Sequence, residues 1–289
     1  MENKLIDMHT HSIYSDGELS PEELIKRAIE HNIGIMALTD HNSIDGVKTI
    51  DRNSEYIKNS GIKIINGVEL SAKVDKGQMH ILGYDYDIDN EYLNEQLFLQ
   101  KENNLHYILS VMEQIKRDYG IVFGYHDIVN LVTANHNLGR PDLALLCMKY
   151  GYSESVSEAF DKYLNPAKEV VRDTNKRITY EECIYMIKQA NGIPVLAHPK
   201  SLLLNHEEFI SLLEKMIDCG LEGIEVFHST HTKEEMKYYE MIARRYNLLI
   251  SGGSDYHGAT IKPDIELGTG KTNNLHIKKL SLVDYIQKR

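Results

Sequence analysis

Short β-branched or aliphatic runs alternate with longer stretches of helical period along much of this chain, a pattern that points to repeated βα units around a largely parallel sheet or barrel. Lys4 to Met8, Ile35 to Thr39, Ile62 to Val68, Met79 to Tyr84, Val195 to Ala197, Leu221 to Phe227 and Leu248 to Ser251 read as strands. Ser20-Pro21-Glu22-Glu23 opens a helix with serine at the N-cap and proline at the first helical position, and Leu24, Ile25, Ala28 and Ile29 form its buried face. Ile44 to Asn59 reads as one helix, Asp75-Lys76-Gly77 as a polar turn, and Phe209, Leu212, Leu213 and Met216 as the apolar stripe of a later helix. From about Asn90 to Ile187 the alternation stops. Only helical patterns remain there: a long one through Leu105, Ile108, Leu109, Met112 and Ile115, then shorter ones over Leu143 to Lys149 and Val156 to Tyr163. The expected organisation is an α/β domain over 1–89 and 188–289 that carries a helical insertion subdomain over 90–187.

With 42% hydrophobic and 26% charged residues, and no long apolar run, the chain reads as a globular cytoplasmic protein without a membrane segment. The net charge of -11 argues against a general affinity for long nucleic acid, which relies on a broad basic surface. Cys147, Cys183 and Cys219 are odd in number, widely spaced and set in apolar helical patterns, so buried thiols are expected in place of a disulfide framework.

Metal-competent side chains recur after separate apolar runs: His9, His11 and Asp16 after the first, then His41, Glu69, His80, His198, Asp255 and His257. Strand side chains alternate faces, so His9 and His11, two apart, can point the same way toward one ion. The carboxyl ends of strands are where α/β barrels assemble their chemistry, and these residues are expected to converge there. Imidazole and carboxylate ligands together suit zinc, iron or manganese, and the lack of a cysteine pair at ligand spacing favours a catalytic site over a structural zinc knuckle. His31, His106, His126, His136, His206 and His276 lie off the strand ends and read as ordinary surface or core histidines.

The motifs Asp7-Met8-His9-Thr10-His11, Tyr14-Ser15-Asp16-Gly17, Leu38-Thr39-Asp40-His41-Asn42, Gly67-Val68-Glu69, His80-Ile81-Leu82-Gly83-Tyr84, Ala197-His198-Pro199 and Gly252-Gly253-Ser254-Asp255-Tyr256-His257-Gly258 stand in one order. In that order the chain resembles the PHP (polymerase and histidinol phosphatase) metallohydrolase family. The resemblance implies a distorted (β/α)7 barrel with two or three divalent ions (Mn, Fe or Zn). It implies that His9, His11, Glu69 and Asp255 hold one ion, that Glu69 bridges to a second held with His80 and His198, and that Asp16, His41 and His257 hold a third. Such ions neutralise the oxygens of a phosphate ester and lower the pKa of bound water, so the implied reaction is phosphoester hydrolysis by a metal-activated hydroxide. Asp255 or His257 could orient that hydroxide, and His231 could protonate the leaving alkoxide.

Gly139-Arg140-Pro141, Ala159 to Leu164 and Gly223 to His228 resemble the small-phosphoesterase branch that acts on nucleotides, including nucleoside 3',5'-bisphosphates and short RNA 5' ends. Arg140 and Lys168 could clamp the phosphate that is not cleaved, with Arg172 and Lys176 as rivals and an ion pair with Asp142 as the structural alternative for Arg140. That branch often has histidine where this chain has Asp142. His228 and His231 could bind substrate or simply cap the helix starting near Lys233. The leading expectation is removal of the 3'-phosphate from nucleoside 3',5'-bisphosphates. Its alternatives are a histidinol-phosphate phosphatase, a 5'-3' exoribonuclease on short RNA, and a non-catalytic metal-binding regulatory protein. Oligomeric state stays open.

Overall fold

The computed structural model describes residues 4–74, 76–133, 138–174 and 176–289; Asp75 of the expected turn and His136 lie outside the described residues. Seven strands form one sheet in sequence order: β1 (Leu5–Asp7), β2 (Ile33–Leu38), β3 (Lys63–Ala72), β4 (Met79–Tyr84), β5 (Ile193–Leu196), β6 (Gly223–His228) and β7 (Leu249–Gly253). Backbone bonds from Met8 N to Gly252 O (3.1 Å) and from Asp255 N to His9 O (2.8 Å) nearly close it into a barrel. Alternate residues Ile35 and Ala37 of β2, Leu82 and Tyr84 of β4, and Ile193 and Val195 of β5 share an apolar cluster with Leu280, Leu282 and Val283 of the C-terminal segment. The Tyr84 hydroxyl donates to Met8 O across it at 2.8 Å.

Parallel pairing holds for β1–β2–β3 and β5–β6–β7, but β4 runs antiparallel to both β3 and β5. Its physical cause is connection length. Only 73–78 separate β3 from β4, too few residues for a parallel crossover, which needs a dozen or more. The expectation that every candidate ligand falls at a strand's carboxyl end is therefore corrected: His80 is the second residue of β4, and the strand's reversal is what brings it to the rim, opposite Ser71. Glu69 lies within β3, which continues to Ala72.

Helices pack outside the sheet. The first, Pro21–Glu30, forms as its capping box predicts: Ser20 Oγ accepts from Glu23 N, and the Glu23 carboxylate accepts from Ser20 N at 2.9 Å. The single helix expected over Ile44 to Asn59 is instead two short ones, Asp45–Lys48 and Glu55–Ser60. Asp51 Oδ1 accepts from Asn53 N (2.9 Å), and this local side-chain bond competes with the helical ladder between them. Cys147 and Cys183 are buried, but Cys219 is exposed, because it caps the end of the helix His206–Asp218, beyond its buried face. A small hairpin, Ile265–Glu266 with Gly270–Lys271, follows β7 and had no counterpart in the sequence reading.

Between β4 and β5 every described element is helical. The helix Glu91–Tyr119 links two cores: Leu93 and Leu97 pack with Leu70, Ile81 and Ile187 against the sheet, whereas Tyr107, Ile108, Val111 and Ile115 pack with Leu143, Cys147 and Leu164 of the insertion. The helix Tyr180–Gln189 returns to the barrel wall through Cys183, Ile184 and Ile187. Among the described residues no helix is long and apolar enough to cross a membrane.

Candidate metal centre and active site

The loops at the rim are braced before any ligand is considered. Thr10 Oγ1 donates to Ala37 O (2.8 Å), and its bridge to Tyr256 is made by the residues beside it, Asp255 N donating to His9 O (2.8 Å) and His11 N to Tyr256 O (2.9 Å), which fixes His9 and His11 on either side of it. Asp7 accepts from Ser254 N (2.8 Å), Ser254 Oγ (2.6 Å) and Gly268 N (2.7 Å), and Asp40 accepts from Ser12 N (2.7 Å), Ser12 Oγ (2.7 Å) and Ser15 Oγ (2.8 Å). Burial raises both carboxyls above the usual range despite these donors. A Cβ at Gly253 would collide with His9 N and the Asp7 carboxylate, so only glycine lets β7 pass this close to β1. His198 (φ +20°) and Asp255 (φ +57°) both occupy left-handed backbone, a conformation costing on the order of 1–3 kcal/mol per residue that tertiary contacts must offset.

All nine candidate ligands converge. Glu69 is the hub: its Oε2 lies 3.1 Å from His9 Nε2, 3.2 Å from His11 Nε2 and 3.1 Å from His41 Nδ1, and its Oε1 lies 2.8 Å from His80 Nδ1 and 2.9 Å from His198 Nε2. Asp255 Oδ1 stands 3.2 Å from His11 Nε2 and 3.5 Å from His9 Nε2. Asp16 Oδ1 stands 3.2 Å from His257 Nε2, and its Oδ2 is 3.8 Å from His41 Nε2. Ligand atoms lie within 4.8 Å of one another in the groups His9-His11-Glu69-Asp255, His11-Asp16-His41-His257 and His41-Glu69-His80.

The outer hydrogen bonds decide which nitrogen each ring offers. Ser201 Oγ donates to Gln78 O (2.9 Å) and so accepts from His198 Nδ1 (2.8 Å), leaving Nε2 as the lone pair toward Glu69. His257 Nδ1 donates to Asp255 O (2.9 Å), His9 Nδ1 to Glu225 Oε1 (2.9 Å), and each ring again turns Nε2 inward. His9 Nε2, His11 Nε2 and Asp16 Oδ1 are buried atoms without a hydrogen-bond partner, which fits a donor set made for cations. Electrostatics agree. Burial works against the charge of Glu69, Asp16 and Asp255, yet histidines around the first two, and Lys262 with histidines around the third, hold all three well below the usual carboxylate range. Burial disfavours charge on His11, but the carboxylates of Asp255 and Glu69 beside it lift it to about 9, whereas burial drives His41 down to about 3. The cluster is thus a site for one or more divalent cations, rich in imidazole and carboxylate.

A cavity of about 350 Å³ opens over this cluster. Its opposite wall comes from the insertion: Gln100, Asn103, Tyr107 and Ile108 of the long helix, with Arg140, Phe160, Lys176 and Arg177. Arg140 donates to Asn165 Oδ1 (3.1 Å) and stacks over the Phe160 ring at 5.2 Å. Asp142 accepts from Gly139 N (2.6 Å) in the cap of its own helix. Lys168 and Arg172 are not among the described residues lining the cavity, and Lys168 Nζ lies 3.9 Å from Glu169 Oε1. His228 sits beneath the metal cluster with Nε2 3.4 Å from Asp255 Oδ2, and His231 lies behind it, its Nδ1 donating to Val226 O (2.9 Å); neither lines the cavity. Burial lowers His231 to about 4.

Three groups escaped the sequence reading. Glu225 is fully buried against His9 and His198. Lys262 bonds Asp255 Oδ2 at 2.6 Å and lines the cavity. Arg177 lines it beside Tyr107. The residues 100, 103, 104, 107 and 108 recur at helical spacing on one face of the long helix.

The PHP domain family model matches residues 7–229. The chain is similar to the 5'-3' exoribonuclease Rnm of Escherichia coli, with 29% identity over 266 residues covering 91% of this chain and 88% of the relative. It is similar to the 3',5'-nucleoside bisphosphate phosphatase of Chromobacterium violaceum, with 28% identity over 252 residues and 87% of each chain covered. A solved structure from Bifidobacterium adolescentis, described as a metal-dependent phosphoesterase, superposes with a TM-score of 0.79 at 28% identity, covering 94% of this chain and 93% of the other. With the family matched over most of its length and its cation cluster assembled at the barrel rim, the chain belongs to the PHP family and is a metal-dependent phosphoesterase.

Proposed function

We propose that this phosphoesterase removes the 3'-phosphate of nucleoside 3',5'-bisphosphates. The observation that carries the reading is a cavity with two chemical poles: the histidine and carboxylate cluster at one end, and Arg140, Lys176, Arg177 and a buried Tyr107 hydroxyl without a hydrogen-bond partner at the other. A substrate with two phosphates matches both poles. In this reading His9, His11, Glu69, His80, His198, Asp16, His41, Asp255 and His257 hold two or three divalent ions, which would supply Lewis-acid stabilisation of the phosphate and a water of lowered pKa. Asp255 and His257 orient the attacking water. Arg140 and Arg177 grip the 5'-phosphate, a task suited to planar guanidinium groups, and the carboxamides of Gln100 and Asn103 face the sugar and base between them.

A second reading, trimming of short RNA from its 5' end, is supported by the similarity to the Escherichia coli exoribonuclease and by the exposed Lys176 among the lining residues, where a following nucleotide would lie. The test compares phosphate release by the manganese-loaded protein from adenosine 3',5'-bisphosphate and from histidinol phosphate with release of the 5'-mononucleotide from 5'-phosphorylated trinucleotides. The bisphosphate is expected to give the highest kcat/KM. Faster turnover of the trinucleotide selects the second reading, and faster turnover of histidinol phosphate overturns both.

A further inference from the structure

We infer that Glu225 is a positioning residue that locks two ligands of the metal centre through one carboxylate. It lies within β6, where the register with β7 slips between Glu225 and Phe227, and it is 0% exposed. Oε1 accepts from the ring of His9 at 2.9 Å, and Oε2 accepts from the backbone N–H of His198 at 2.7 Å. The first bond fixes the proton of His9 on Nδ1 and turns Nε2 toward Glu69 (3.1 Å) and Asp255 (3.5 Å). The second ties down a residue whose φ of +20° needs tertiary support, and so aims His198 Nε2 at the other oxygen of Glu69, 2.9 Å away. His9 and His198 are 189 positions apart in sequence and face opposite oxygens of the Glu69 hub.

Both partners of Glu225 are donors, so the position needs two acceptors. A carboxamide offers one. In Glu225→Gln, if the amide nitrogen faces His9, the ring must present a lone pair at Nδ1 and carry its proton on Nε2, the atom directed at the hub. If it faces His198, two N–H groups oppose each other and the strained backbone loses its anchor. With both oxygens engaged in this way, Glu225 acts through His9 and His198 and is not itself placed as a ligand, although it groups with His9 and His228.

The inference rests on the proposed assignment of His9 and His198 as ligands, and the experiment separates the two. Metal-stripped wild type, His9→Ala and Glu225→Gln are titrated with manganese against a chelating dye. Outer hydrogen-bond partners of metal-bound histidines are worth roughly 10- to 100-fold in affinity, and Glu225→Gln is expected to weaken manganese by that factor. Unchanged affinity in His9→Ala overturns the ligand assignment; weakened binding in His9→Ala with wild-type binding in Glu225→Gln overturns the inference about Glu225 alone. Should Glu225→Gln not fold, NMR of the zinc-loaded wild type decides the matter. A slowly exchanging Nδ1 proton on His9 is expected, and a proton on Nε2 with zinc at Nδ1 overturns the inference.

Discussion

The two walls of the cavity are built on opposite principles. On the barrel side, polar groups are buried and held from behind: His9 by Glu225, His198 by Ser201, His257 by the Asp255 carbonyl. On the insertion side, Lys176 is exposed, Arg177 half-buried, and the Tyr107 hydroxyl has no hydrogen-bond partner. One wall is preorganised for cations whose position must be accurate to fractions of an ångström; the other, under the proposed function, offers donors for the substrate to meet. The difference teaches where chemistry and where selectivity should be sought, because a group satisfied within the fold contributes little to telling ligands apart.

Disturbing the barrel wall should cost most. Glu69→Gln removes the charge that five imidazoles share, and the loss of several kcal/mol of cation and transition-state stabilisation predicts a fall in kcat of roughly a thousandfold or more, measured by phosphate release. A chelator should abolish activity while leaving the far-ultraviolet circular dichroism unchanged, and added manganese should restore it; loss of the helical signal would mean that the ions hold the fold instead.

The insertion wall should respond more mildly and only for doubly charged substrates. Arg140→Ala and Arg177→Ala are each expected to raise KM for adenosine 3',5'-bisphosphate by roughly 10- to 100-fold, the worth of a charge-assisted hydrogen bond, while a generic phosphomonoester is cleaved as before. Equal losses on both substrates would erase the distinction between the walls.

Proton competition gives the next effect. Without cations, neighbouring carboxylates lift His9 well above its ordinary value and His11 to about 9 against the effect of burial, so the His11 ring is positively charged at pH 7. Cations require the neutral rings. Metal binding should therefore release protons at pH 7, and affinity should rise with pH between 7 and about 9 as the His11 ring loses its charge. Calorimetry in buffers of different ionisation enthalpy checks the sign; proton uptake would contradict it. The smallest effect is reserved for Asp142, whose carboxylate caps its own helix. Asp142→Ala should lower stability by about 1 kcal/mol, read as a small fall in Tm, with KM unchanged.

Much of the barrel wall could be read from the chain because the ligands are grouped with successive apolar runs, and strand ends are where such runs converge. His80 satisfied that rule for the wrong reason. Its strand is reversed, and only the shortness of 73–78 hinted at it. Glu225 lay in plain view in Gly223-Ile224-Glu225-Val226, but one acid in an apolar strand does not announce two partners nearly 30 and over 200 positions away. Lys262 sits in a loop after β7, where reach in space and not periodicity decides what it touches. The basic wall was legible only as a choice among Arg140, Lys168, Arg172 and Lys176, with Arg177 missed, since which cation faces inward depends on how the helices of the insertion pack. The break in the helix expected over Ile44 to Asn59 shows the same limit locally, with a single aspartate enough to interrupt a favourable pattern.

The reversal of β4 also sets the height of the roof over the reaction chamber. A strand whose amino end is at the rim delivers the chain, at Tyr84, to the floor of the barrel, from which it must climb back. The climb is made by one helix of 29 residues, about 43 Å long at 1.5 Å per residue, and it passes the chamber some 14 to 26 Å along, at Gln100 to Ile108. That helix is a ruler. Removing or adding a single turn below Gln100 would move Gln100 to Ile108 by about 5.4 Å along the helix axis relative to the cation cluster, so the depth of the chamber can be retuned by length alone, with no ligand changed.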